Sequence, residues 1–141
     1  MRINLAFAQA ATAGVILAAV TVSAHHSFAT EYDRSKPVTL TGSVTRVEWI
    51  NPHARFHMDV KDDKGNVANW EIELGSPAGL LRNGWTRNSL KIDEMVVVSG
   101  YLAKDGSNLA NSSSVTVNGR KMFAGSSADT GTGNPSPAPN P

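Results

Sequence analysis

The chain has no cysteine among its 141 residues. Disulfides, thiolate zinc centres and a cysteine nucleophile are therefore excluded, and stability must come from packing. An excess of either charge is lacking as well. There are 13 basic and 12 acidic residues, and removing residues 1 to 24, where Arg2 is the one charged group, leaves 12 of each. A formally neutral protein argues against partners held by bulk charge, such as duplex DNA or an anionic membrane surface, which need a net basic face. Histidine is scarce, with only His25, His26, His53 and His57, in two close pairs. No apolar run reaches the roughly 20 residues of a membrane-spanning helix. After the leader and the polar tail described below are set aside, about 100 residues remain, enough for one modest core and no second domain.

What is there begins with an export signal. Arg2 near the start, an apolar run from Ala10 to Val22, and the small residues Val22-Ser23-Ala24 form the three parts of a signal peptide over residues 1 to 24. Cleavage after Ala24 makes His25 the first residue of a soluble, periplasmic protein with no membrane span. A second site, after Ser27-Phe28-Ala29, would discard both His25 and His26; Ala24 is favoured because it follows the apolar run closely.

The mature chain opens with an extended polar arm over residues 25–37 and enters a domain over residues 38–123. From Val38 to Trp49 the apolar positions change parity, Val38, Leu40 and Val44 being even and Val47 and Trp49 odd. A strand does this only through a bulge or bend, placed here near Gly42 to Thr45. Asn51-Pro52 makes a turn. Ala54 to Lys61 alternates as a second strand, with Phe56, Met58 and Val60 on one face and Arg55, His57 and Asp59 on the other. A hairpin at Asp62 to Asn66 leads into a third strand, Val67 to Leu74, with Trp70, Ile72 and Leu74 inward and Glu71 and Glu73 outward. Ser76-Pro77 has the cap and first-turn chemistry of a helix, and Asn83-Gly84 its stop. Glu94 to Ala103 reads as a fourth strand and Ser113 to Val117 as a fifth, with Met122 and Phe123 closing the end. Residues 124–141 are Ser, Gly, Thr, Asn, Ala and Pro with the single charge Asp129, a composition that cannot form a core and reads as a disordered tail.

Three meander strands, one short helix and two more strands, the first strand long and bent, predict an all-β domain with one short helix, a small five-stranded OB-like β-barrel. Another small barrel or sandwich is the alternative. Three groups of residues also carry a resemblance. The run from Ala24 through His25, His26, Ser27 and Phe28 to Tyr32-Asp33, the segment Val38 to Gly42 followed by Val47 to His53, and Glu73 to Pro77 with Gly84 to Arg87 resemble a family of small exported bacterial proteins classed as a domain of unknown function. The resemblance implies export and one small β-rich domain, and brings no established activity or catalytic residues.

The histidines carry the chemical signal. An amino-terminal His25 offers its α-amine and its imidazole together, which close a chelate ring on one ion, and both can lose a proton to a metal near neutral pH. Copper(II) accepts nitrogen ligands in a tetragonal plane and heads the divalent affinity order, so it is the metal of choice. His26 could replace the His25 imidazole, and His53 and His57 are the candidate completing ligands. On an extended strand those two lie about 13 Å apart, and the fixed charge of Arg55 between them disfavours a cation. Their bland alternatives are a turn histidine bonded to backbone for His53 and a solvated strand residue for His57.

The expected function is thus a copper(II)-binding exported protein. The alternative is a metal-free periplasmic module that binds a peptide, glycan or envelope protein, and a copper-dependent redox enzyme is the third reading. No catalytic constellation is present. Glu71 and Glu73 read as solvated charge, and the serines lack a nucleophile elbow. Trp70 belongs to the core by parity, so stacking on nucleic acid is disfavoured.

Overall fold

The structure is a computed structural model and describes residues 28–125. A short helix α1 (Phe28–Glu31) is followed by β1 (Tyr32–Glu48), β2 (Arg55–Lys61), β3 (Val67–Glu73), a helix α2 (Pro77–Arg82), β4 (Met95–Ala103), β5 (Leu109–Val117) and β6 (Arg120–Phe123). The domain is mostly β. Its strands hydrogen-bond in the order β3-β2-β1-β4-β5-β6, antiparallel throughout, and a further parallel pairing joins β3 to β5.

The parity change in β1 has the expected cause. Its register with β2 runs Val44↔Met58 and then Arg46↔His57, so Thr45 is the extra residue of a bulge. Leu40 and Val44 before it and Val47 after it can then all face the core. At this bend β1 serves two neighbours, β4 along Pro37 to Ser43 and β2 along Gly42 to Glu48. Gly42 lies where both neighbours are close, and a Cβ there would collide with the Asp59 carbonyl oxygen and the end of Met58.

The core is built from the faces that alternation predicts: Val44, Phe56, Met58, Ile72, Val96, Val98 and Val115 are all within 1 % of complete burial. The α2 helix starts as its sequence directs, with the Ser76 hydroxyl accepting from the Gly79 amide and Pro77 in the first turn. Such a cap contributes about 1 kcal/mol. The helix turns Leu80 into the core, and Trp85 follows, its indole Nε1 donating to the Phe123 carbonyl at 2.7 Å. Asn51-Pro52 forms the turn before β2, with a cis peptide bond. At the β2–β3 hairpin, Asp62 accepts from the amides of Lys64 and Asn66 and from the Asn66 side chain, which holds its carboxyl below the ordinary range.

Two departures from the sequence reading matter for function. The segment expected as an extended arm contains α1 and the start of β1, and it pairs with β4 through Tyr32↔Ala103 and Pro37↔Tyr101. Phe28, Tyr32 and Ala103 form a second, smaller apolar cluster with Tyr101 and Leu109. The Phe28 ring packs edge-on against Tyr101 at 5.6 Å and tilted against Tyr32 at 5.5 Å. The fifth strand, expected from Ser113, begins at Leu109, and the first three of its added residues, Leu109 to Asn111, pair with Glu71 to Glu73 of β3.

Candidate functional site

The parallel pairing of β3 with β5 decides the fate of Glu73. Alternation places this residue on the outer face with Glu71, but it is only 5 % exposed, because Asn111 of β5 lies beside it and Tyr32 lies over it. Glu73 is therefore a buried carboxylate, not the solvated charge expected from parity. Burial of a carboxylate costs several kcal/mol unless its oxygens find donors. Here four converge. Oε2 accepts from the Tyr32 hydroxyl at 3.0 Å and faces the Arg55 guanidinium at 3.7 Å. Oε1 lies 2.9 Å from His53 Nδ1 and 3.4 Å from the Asn111 amide nitrogen. No buried side-chain nitrogen or oxygen among the described residues lacks a partner.

Burial, and then the charge of Glu73, push the Tyr32 phenol well above its ordinary value of 10.0. Below that pH both the folded and unfolded chains hold the proton. Above it the unfolded chain releases the proton first, so the stability contributed by this group falls as pH rises toward the folded-state value. Denaturant unfolding of the wild type and Tyr32→Phe between pH 8 and pH 11 is expected to show a steeper alkaline loss in the wild type. Parallel curves would rule out Tyr32 as the group responsible.

His53 sits just before β2, diagonal to Glu73 across the ladder, with its side chain 28 % exposed. Since the Glu73 oxygens serve as acceptors, the hydrogen of this contact belongs to His53 Nδ1, which leaves Nε2 with its lone pair. His57 is arranged differently. Its Nε2 lies 2.8 Å from an Arg46 Nη, and arginine can only donate, so this lone pair is already engaged. Arg46 is in turn held by Glu48 at 2.7 Å. Arg55, between the two histidines, contacts Glu71 at 2.7 Å and Glu73 at 3.7 Å, so its charge is matched by two carboxylates that the sequence reading had not assigned to it. Among the described residues, no group of three or more histidine or acidic side chains is disposed to hold a metal ion. His25 and His26 lie outside the described residues.

Sequence reasoning missed Glu73, Tyr32 and Asn111. A signal for two of them was present, since Tyr32, His53 and Glu73 each fall in one of the three segments that carry the family resemblance, and the fold brings those segments to one point. Fold and site together define a small β-rich domain with a buried carboxylate where its first, third and fifth strands meet. The chain belongs to the family of unknown function DUF6152, whose family model matches residues 12–112. No curated protein matches it. No helix among the described residues is long and apolar enough to cross a membrane.

Proposed function

We propose that the protein is exported to the periplasm as a small binding protein, built on an OB-like five-stranded barrel, that holds copper(II) through a mature amino-terminal His25. The barrel reading is supported by the pairing circuit β1–β2–β3–β5–β4–β1, which returns to its starting strand. The single observation that carries the copper reading is the contact of His53 Nδ1 with Glu73. A metal-ligating histidine characteristically donates its other ring N–H to a carboxylate, which fixes the ring and raises its basicity. Chain geometry supports the partnership with His25. Phe28 is packed on Tyr32, whose hydroxyl bonds to this same Glu73, and three peptide links allow up to about 11 Å between the Cα atoms of His25 and Phe28. The α-amine and imidazole of His25 with Nε2 of His53 supply three nitrogens for a tetragonal copper plane. His26 is an alternative donor from the arm, and His57 is the weaker candidate because Arg46 already engages its Nε2.

The intact mass of the exported protein tests the first condition, with a start at His25 expected and a start at Thr30 fatal to the chelate. Copper(II) titration by calorimetry and electron paramagnetic resonance then compares this protein with a version carrying one added methionine before His25. Weaker binding by the extended version is expected, and equal affinity would show that the α-amine is not a ligand. The second reading, a metal-free module for a peptide, glycan or envelope protein, is favoured by a separate groove of about 350 Å³ lined by Thr41, Ser43, Asp59, Lys61, Val67 and Met95. Failure of the His25 form to bind copper would leave that reading standing.

A further inference from the structure

We infer that the groove over β1 and β2 is a peptide-binding site for an extended segment that carries a basic and an acidic side chain two residues apart, the basic one on Asp59 and the acidic one on Lys61. This inference rests on the metal-free reading above and is independent of copper. The register of four adjacent strands builds the site. Ser43 of β1 is paired with Asp59 of β2 on one side and with Met95 of β4 on the other, while Lys61 of β2 is paired with Val67 of β3. Two neighbouring rows of outward side chains thus cross the sheet, and the groove of about 350 Å³ lies along them. Met95 and Val67 are separated by three strand spacings, about 14 Å across the sheet. Both are apolar and open to solvent, at 59 % and 54 % exposure. Singly such residues are ordinary, but two that border one groove give it apolar sides. The flexible thioether of Met95 can adapt to apolar neighbours of different shape.

The charges between these sides define what the groove accepts. Lys61 is exposed, and among the described residues its ammonium has neither an ion pair nor a hydrogen bond. Asp59 is held from the side, its Oδ1 accepting from the Asn69 amide at 2.7 Å, which leaves Oδ2 open to a ligand. The two charges lie on one face of β2 and about 6.6 Å apart along it. An extended peptide has the same repeat, so its side chains i and i+2 come over Asp59 and Lys61 together. A basic-x-acidic segment is thereby matched in both sign and spacing. None of the side chains lining the groove is aromatic, so it offers no ring on which a base or a sugar could stack. One charge of each sign also suits a polyanion poorly.

The test uses the full mature chain, a metal chelator, and heptapeptides with both ends blocked: Leu-Ser-Lys-Ser-Glu-Ser-Leu, the same sequence with Lys and Glu exchanged, and Leu-Ser-Lys-Ser-Lys-Ser-Leu. Fluorescence anisotropy gives affinity and amide NMR shifts give the place of contact. One order of the Lys/Glu peptide is expected to bind and to shift the amides of Ser43, Lys61 and Met95. Lys61→Glu changes an exposed side chain and should weaken that binding by about 5-fold, the effect of losing a partly screened ion pair. The same variant should bind the Lys/Lys peptide more tightly than the wild type does. An exchange of preference of this kind does not follow from mere loss of structure. Equal affinity of the wild type and Lys61→Glu for every peptide, or shifts confined to another face, would overturn the groove site and leave the metal-free reading standing. Failure of all three peptides to bind at millimolar concentration would overturn the peptide assignment. If maltotetraose then shifted the same amides, the glycan form of the metal-free reading would take its place.

Discussion

Phe56→Ala is expected to remove about 3–5 kcal/mol of folding stability. The side chain is fully buried and faces inward from β2. In register it pairs with Val47 of β1 and Ile72 of β3, so its ring fills the space beneath three adjacent strands. Both neighbouring strands are tied to β2 by ladder hydrogen bonds and cannot collapse into the vacated volume, so the cavity cost adds to the lost transfer free energy. Against a total of about 5–15 kcal/mol for a domain of this size, the loss is a large fraction of the whole. Urea unfolding should show a lower midpoint with an unchanged slope. A change below about 1 kcal/mol would mean that the interior repacks around the gap despite the ladder that ties its walls together.

The second large effect is expected where a side chain has no room at all. At Gly100, a Cβ would land on the Asn111 carbonyl oxygen and crowd the backbone of Ser112. The register of β4 with β5 shifts between Ser99 and Gly100, and the two backbones close in at that irregularity. Since the obstacle is main chain and not the tip of a flexible side chain, relief requires the strands to part. Gly100→Ala should therefore cost about 3 kcal/mol, at the upper end of the usual overpacking range. Gly106→Ala is the informative comparison. That residue has φ +79 with nothing within 4 Å of a built Cβ, so its penalty is the conformational one of about 1–2 kcal/mol. Equal losses in the two variants, measured by the same unfolding experiment, would show that forced separation of β4 from β5 does not govern the loss at Gly100.

The parts of the fold that were legible in the sequence are those set by local rules. Period-two alternation located β2 and β3 to within a residue, and the parity change from Val44 to Val47 placed a bulge near Gly42 to Thr45, the structure having it at Thr45. Ser76, Pro77 and Asn83-Gly84 bounded α2 because capping chemistry is written in adjacent residues. What was not legible depends on pairing between distant residues. Leu109 to Asn111 carry no strand alternation of their own, and they join β5 because β3 and β4 lie on either side of them. Glu73 follows the same logic. Parity states which of two faces a residue occupies, and it does not state what lies over that face. Of the Glu73 cluster the sequence reading had singled out His53, but the carboxylate in contact with it was read as solvated. The objection raised by Arg55 was sound as electrostatics, but incomplete, because its partners Glu71 and Glu73 come from the neighbouring strand.

The joining of β3 to β5 also sets when the Glu73 cluster comes into being. Its contacts to Tyr32 and Asn111 span 41 and 38 positions in the chain, on opposite sides of Glu73. Each must close a long loop before it returns any free energy, and such non-local pairings form slowly. A chain that ends before Leu109 has neither Asn111 nor the strand that covers Glu73, whatever the state of its first three strands. The cluster is thus assembled only once β5 has joined β3, late in the making of the fold and not with the local hairpins.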